Sequence, residues 1–343
     1  MNPLSRIARW LLMVSLLIAP MHSGAVTIQE ANEAIQRTLN QNFCAPDQIF
    51  PQSAAWIAQP IRPDPWGQGG NLTVTLDQQI HQLLAPLITE YAQEHGLDIR
   101  VREGTCGTSA GLVSRKAVDI AGYCCPPGKS DRLPGLTFHT LGIAAIAILV
   151  HPDNPLTDLS MSQIQEIFRG HPRKWSEISD RHGILGPAWP IQPIGRLHCK
   201  LRPGHWRAML GSPDDFSPLM EEVGAIPDMI QRVLAQRGSM GYETLWHVDR
   251  FKNRGRPKTI AIDGQAPDHV AALLAGHYPL YHVFNLTMWE QEGITNPLAQ
   301  PLVQHLIQAV ESMDPQKSML PATALRKAGW QFQNNELIGE PRP

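Results

Sequence analysis

The chain is poor in charge: only 17% of its 343 residues are Asp, Glu, Lys or Arg, and the formal net charge is −2. Such a balance sets up no strong field of one sign, which argues against a nucleic-acid partner or an anionic membrane surface. CxxC and CxxCH are missing, which removes thioredoxin-like and c-type haem readings. No internal repeat is visible. Beyond the N-terminus no run approaches the ~20 apolar residues of a membrane span, so Leu141 to Val150 reads as a buried strand. At 343 residues the chain is long for one domain and comfortable for two.

The N-terminus carries Arg6 and Arg9, then the apolar stretch Trp10 to Ala19, then Ser23-Gly24-Ala25. This is the pattern of a secretory signal cleaved near Ala25, with a membrane anchor as the competing reading. No cysteine follows closely enough for a lipoprotein site. The expected location is the periplasm. Five cysteines, Cys44, Cys106, Cys124, Cys125 and Cys199, would there form disulfides by default, and an odd count leaves one over.

Residues 26–70 read as an N-terminal extension. Ile28, Ala31, Ile35 and Leu39 fall on one helical face, and five prolines from Pro46 to Pro65 then forbid regular structure. From Asn71 onward, strands and helices alternate. Asn71–Thr75, Ile99–Val101, 117–122, 141–150, 190–195 and 279–287 are read as strands; 80–91, 161–168, 229–235 and 302–313 are read as helices. Pro86 implies a kink in the first helix or a start close to it. Ser160 to Gln163 reads as a capping box closed by Gly170. The alternation predicts an α/β fold. Asn71-Leu-Thr and Asn285-Leu-Thr match the glycosylation sequon but fall in or at predicted strands, so both are taken as chance.

The most informative stretch is Gly104 to Cys125, GTCGTSAGLVSRKAVDIAGYCC. It opens with a Gly/Thr/Ser loop (Gly104, Thr105, Gly107, Thr108, Ser109, Gly111), and such a loop feeding a short helix presents N–H groups and hydroxyls to an anion. The run after it delivers Cys124 and Cys125 from a strand end, where ligands of open α/β sheets bind. A second constellation, Arg196 to Arg207 (RLHCKLRPGHWR), holds four cations and two histidines with no acid. It is either a solvated basic loop or a clamp in which Arg196 and Arg202 hold an oxyanion bidentately. The cysteines leave three readings open: structural disulfides, a soft site for Cu(I), Zn or another thiophilic species, with a trithiolate pocket also suiting arsenite, or a catalytic Cys–His pair. His81 and His139 read as surface or structural histidines, and Trp56, Trp66, Trp175 and Trp330 as packing.

Several of these stretches resemble the phosphate-type periplasmic solute-binding proteins of ABC importers. GTCGTSAGLVSRKAVDIAGYCCPP is similar to that family's glycine/serine loop, helix and VDIA-type strand. LGIAAIAILVHPDNPLTDLSMSQIQEIFRGHPRKWSEI is similar to its crossover strand, Asn-Pro turn and Gln-containing helix, and PIQPIGR, SMGYETL and YPLYHVFN to later strands. The likeness covers residues 71–333. It implies a two-lobe periplasmic-binding-protein fold with a two-strand hinge. Lobe 1 would comprise 71–146 plus 243–343, and lobe 2 would comprise 147–242. It further implies a monomer without enzymatic activity that presents its ligand to a membrane permease or a sensor.

The ligand residues expected from this reading are Thr105, Cys106, Ser109, Cys124, Cys125, Arg196, His198, Cys199, Lys200 and Arg202. Cysteines stand where the family carries a hydroxyl or a carboxylate. A thiophilic variant would therefore use Cys106, Cys124, Cys199 and His198 for a metal or metalloid, on a metal- or arsenite-binding or thiol-redox protein of the same fold. No other cofactor is expected.

Overall fold

A computed structural model describes residues 43–196, 209–315 and 317–342. The signal segment, its cleavage point near Ala25 and the helix read over residues 28–39 lie outside the described residues. The strap that follows is irregular apart from a four-residue helix, α1 (Ala54–Ile57), capped by Ser53. It fits between two of the prolines that were expected to exclude regular structure. The strap is tied down by specific bonds: Phe50 N–H donates to the Arg132 carbonyl and Arg62 N–H to that of Lys116. Lys116 is fully buried, and its ammonium donates to the carbonyls of Ile57 and Gln59 at 2.8 and 2.9 Å. The Trp56 ring lies 4.5 Å from that ammonium.

The core opens with β1 (Leu72–Asp77), α2 (Gln78–His95), β2 (Ile99–Gly104), α3 (Cys106–Ser114) and β3 (Ile120–Tyr123). Strands β1, β2 and β3 are parallel, with β1 in the middle. Both faces of β1 are covered, so all six of its residues are buried, as parallel strands require. Helix α2 forms because Ile80, Leu84, Ile88 and Tyr91 share a face and Asp77 caps its start, while Gly96 ends it in the left-handed conformation. It runs unbroken through Pro86. Pro86 lies on the exposed face, where the carbonyl that loses its donor can turn to water.

The chain then enters β4 (Leu136–Val150). Its first part pairs antiparallel with β10 (Tyr281–Trp289), which also pairs with β3. Its last part pairs with β8 (Ser239–Thr244) and β9 (Lys258–Ile262). Between these come β5 (Asp158–Leu159), α4 (Met161–Arg169), β6 (Gln192–Gly195), β7 (Glu221–Glu222) and α5 (Ile226–Ala235). The Ser160–Gln163 capping box and the Gly170 stop bound α4 as expected, and Met161, Ile164, Ile167 and Phe168 face inward. Strand β6 lies parallel to β8 and to β7. After β8 follow α6 (Leu245–Arg250), α7 (Val270–Leu274) before β10, and α8 (Ala299–Glu311) after it. β11 (Leu320–Pro321), α9 (Ala322–Lys327) and the hairpin β12 (Gln331–Gln333) with β13 (Glu336–Gly339) complete the order.

The buried apolar residues form two large clusters. One gathers Leu72, Val74, Ile80, Ile120, Phe284 and Leu306. The other gathers Ile146, Ile148, Phe168, Trp175, Tyr242 and Ile260. Strand β4 contributes to both, with Leu141 in the first and Ile143 in the second, and the β8–α6 segment contributes Tyr242 to the second and Trp246 to the first. A smaller cluster packs α5 on β4 and β6 through Leu149, Ile194, Met229 and Val233.

Where β4 changes partners, Gly142 lies against β11. A Cβ there would stand 2.1 Å from the Leu320 carbonyl oxygen, so Gly142→Ala must push two backbones apart. Gly111, by contrast, sits inside α3 with nothing within 4 Å of an added Cβ. In urea titrations, Gly142→Ala is expected to lose about 1–3 kcal/mol, the range for overpacked interiors. Gly111→Ala is expected to gain roughly 0.5–1 kcal/mol. Equal effects of the two substitutions would mean that β11 does not clamp β4 as described.

Candidate functional site

The C-terminal ends of β1, β2, β3, β6 and β8 supply the functional side chains. At the end of β1, Asp77 accepts from Gln79 N–H at 2.8 Å and opens α2 directly, so no separate loop intervenes there. At the end of β2, Thr105 caps α3, its hydroxyl accepting from Thr108 N–H at 3.1 Å. The helix already begins at Cys106, so most of the Gly/Thr/Ser segment read as a loop is helical. Ser109 lies buried one turn in, with its hydroxyl 3.2 Å from that of Thr75.

Cys106 and Cys124 come together: their sulfurs are 3.4 Å apart, and Cys125 donates to Cys106 at 3.6 Å. All three residues are buried, and their sulfurs lie within 4.8 Å of one another. A disulfide requires about 2.05 Å. The disulfides expected from compartment alone are thus not formed among the described cysteines, Cys44 included. The thiol contacts of Cys106 and Cys125, then burial and the Asp77 carboxylate, push the Cys124 thiol well above its ordinary range. Two side chains of β10 hold the backbone here. His282 Nδ1 is 3.1 Å from the Cys124 carbonyl and therefore carries the proton, and Asn285 Nδ2 donates to the Cys125 carbonyl at 3.1 Å.

Arg196, just past β6, is buried and pairs through Nη2 with Glu243 Oε2 at 2.9 Å, both side chains fully covered. Glu243 also accepts from Gln79 Nε2 and from Thr244 N–H, each at 2.8 Å. Burial pushes its carboxyl up against the pull of Arg196 and these donors. Thr244 donates to Gln79 Oε1 at 2.7 Å, and His247 Nε2 donates to the Gln79 carbonyl at 2.9 Å. Tyr242 accepts from Arg196 N–H, and burial raises its hydroxyl to about 12. Residues 198–202, with the predicted His198, Cys199, Lys200 and Arg202, lie outside the described residues.

The sequence reading missed Asp77, Gln79, Glu243, His247, His282 and Asn285. Glu243 carried a usable signal: it is the only acid in the strand SMGYET, which aims at the same sheet edge as β6. His282 and Asn285 look like interior residues of an apolar strand, and only the pairing of β10 with β3 brings them to Cys124 and Cys125.

This architecture, an α/β fold whose sheet curls through two cores and gathers its polar groups at strand ends, is that of the two-lobe periplasmic binding proteins. The comparisons with known proteins point the same way. Residues 63–198 match the family model described as PBP superfamily domain. The phosphate-binding protein PstS of Bacillus subtilis (strain 168) is 22% identical over 256 residues, covering 73% of this chain and 78% of that protein. That of Pseudomonas aeruginosa PAO1 is 26% identical over 211 residues, covering 55% and 61%. Among solved structures, an ABC-type phosphate transport receptor from Vibrio cholerae superposes with a TM-score of 0.60 at 17% identity, covering 73% of this chain and all of that one. A putative phosphate ABC transporter substrate-binding protein with bound phosphate from Clostridium perfringens gives 0.60 at 16%, covering 73% and 99%. The resemblance read from the sequence, to phosphate-type solute-binding proteins, therefore holds, and the fold with it.

The buried histidines make stability depend on acid. Burial, and then the Arg196 charge, lower His282 to about 3, and burial lowers His247 as well. An unfolded histidine takes up its proton near pH 6.5. Folding stability is thus complete above about pH 6.5 and is lost as pH falls toward about 3, where folded His282 titrates. Between pH 7 and 5, His282 alone accounts for roughly 2 kcal/mol. His282→Gln, followed by urea unfolding at both pH values, is expected to shrink the pH difference by about that amount. An unchanged difference would show that His282 is not held neutral.

Proposed function

We propose that the chain is an exported solute-binding protein that holds a small oxyanion, of the phosphate type, for a membrane permease of an ABC importer or for a sensor. In this reading residues 1–25 are the leader and 26–70 an extension. Segments 71–146 plus 243–343 and 147–242 are the two lobes, and the protein acts as a periplasmic monomer, not an enzyme. The relatives named above favour this reading over the alternative of a metal- or arsenite-binding or thiol-redox protein on the same fold. Thr105, Cys106, Ser109, Cys124, Cys125 and Arg196 are the proposed ligand border, together with His198, Cys199, Lys200 and Arg202.

What supports this reading is a chain of contacts that links the α3 N-terminus to Arg196: Cys106 meets Cys124 at 3.4 Å, His282 donates to the Cys124 carbonyl, and the charge of Arg196 acts on His282. Helix N-termini direct N–H groups and partial positive charge at an anion. A guanidinium fork serves two oxygens at once, where an ammonium serves one. The buried Glu243 partner keeps Arg196 in place and offsets part of its charge. Selectivity would therefore rest on directed hydrogen bonds more than on net field.

Calorimetric titration with phosphate, sulfate and arsenate tests the proposal. Saturable oxyanion binding by the full chain is expected. Arg196→Lys, which keeps the pairing with Glu243, is expected to weaken binding at least tenfold, because hydrogen bonds to charged groups contribute about 1.5–3 kcal/mol. Unchanged affinity in Arg196→Lys and Arg196→Ala would remove Arg196 from the site. No binding of any oxyanion would overturn the anion reading.

A further inference from the structure

Three sulfurs meet at the ends of β2 and β3, brought there by two segments of chain. Cys106 is fixed as the first residue of α3 behind the Thr105 cap. Cys124 and Cys125 leave β3 with their carbonyls gripped by His282 and Asn285 of β10. A site whose backbone is held from a neighbouring strand is organised before anything binds. Thiols do little for an oxyanion, since S–H is a weak donor. A disulfide would consume two of them and strand the third.

We infer that Cys106, Cys124 and Cys125 form a trithiolate site for one trivalent metalloid hydroxide, arsenite being the representative species. The site stands on the cysteine geometry and goes beyond the oxyanion reading. Binding is a ligand exchange with no change of oxidation state. Three As–O bonds and three S–H bonds break, and three As–S bonds form. Each thiol proton leaves with one hydroxide, giving three waters. Neutral As(OH)3 and three neutral thiols become a neutral As(S-Cys)3.

That neutrality selects the ligand. The three residues are at most 8% exposed, and the Asp77 carboxylate acts on Cys124. Three thiolates around Zn²⁺ would leave one net negative charge there, and around Cu(I) two, each costly to bury without a partner.

The spacing agrees. With a metal–sulfur bond of about 2.3 Å, as for zinc thiolates and close to that for trivalent arsenic, sulfurs 3.4 and 3.6 Å apart subtend roughly 95–103°. Both angles, at the Cys106–Cys124 and Cys106–Cys125 pairs, are narrower than those of a planar trigonal site, which suits an atom carrying a lone pair. Entry is past Cys125, the most exposed of the three at 8%.

The test uses the full exported chain, reduced and then freed of reductant, with sodium arsenite as probe. Native mass spectrometry should show one arsenic gained and three hydrogens lost per chain. X-ray absorption at the arsenic edge should show three sulfur neighbours and no oxygen. Cys106→Ser, Cys124→Ser and Cys125→Ser should each lose more affinity than the roughly 10–100-fold that follows loss of an outer-shell partner, whereas Cys44→Ser should bind as the parent does. Saturating phosphate should not replace the three sulfur neighbours, so phosphate and arsenite binding can fail independently. Fewer than three sulfurs, tighter binding of zinc than of arsenite, or undiminished binding in any one of the three variants would overturn the assignment. Where a variant does not fold, the absorption spectrum of the parent decides.

Discussion

The constraint on which the structure depends is that β4 serves two cores at once. Over Leu136 to Val150 it is too long for one face of a small sheet, and it changes partners midway, from β10 to β8 and β9. An extended backbone cannot leave its N–H and C=O groups unpaired in an interior, so each half must find its own strands. The rest of the chain supplies them. At the exchange point the backbone of β11 comes so close that only glycine fits at 142. The β10 register slips at Phe284/Asn285 nearby, and that slip aims Asn285 at Cys125.

The same exchange determines where polar groups gather. Strands of the two cores run toward each other and end on either side of the middle of β4: Tyr123 of β3 lies across from Asn285, which pairs with Thr140, and Thr244 of β8 pairs with Ile146. Two opposite charges, Arg196 and Glu243, are fully covered there. Such a pair is weak evidence of stability, because desolvation offsets most of its attraction, but removing one member leaves an uncompensated charge. Gln79, Thr244 and Tyr242 satisfy much of what remains. The network links α2 of the first core to β6 and β8 of the second, so any change in how these elements meet must rearrange it.

Alongside that hard, charged network lies a soft, neutral one. The thiols occupy strand-end positions at which a phosphate-type site would carry hydroxyls or a carboxylate. Hydroxyls and guanidinium suit oxygen ligands, and thiols suit thiophilic atoms. The facing strand ends thus offer two chemistries, linked by His282, which is bonded to the Cys124 carbonyl and feels the charge of Arg196.

The local features were legible in the sequence because local physics determines them. The capping box and Gly170 bound α4, the apolar spacing marks α2 and α8, and the run 141–150 could only be buried. The α/β alternation followed, and so did the placement of Cys106 and Cys124 at one edge, since both follow strand-like segments that enter the same sheet. Tertiary structure decided the rest. Pro86 is tolerated because it faces outward. The cysteines touch without bonding because β3 and α3 hold them at 3.4 Å. Arg196, read as a cation awaiting an anion, already has Glu243 as a partner. Pairings between residues 196 and 243, or 124 and 282, depend on which strands lie side by side. Strand order is set by the packing of whole faces, a long-range property that no spacing along the chain encodes.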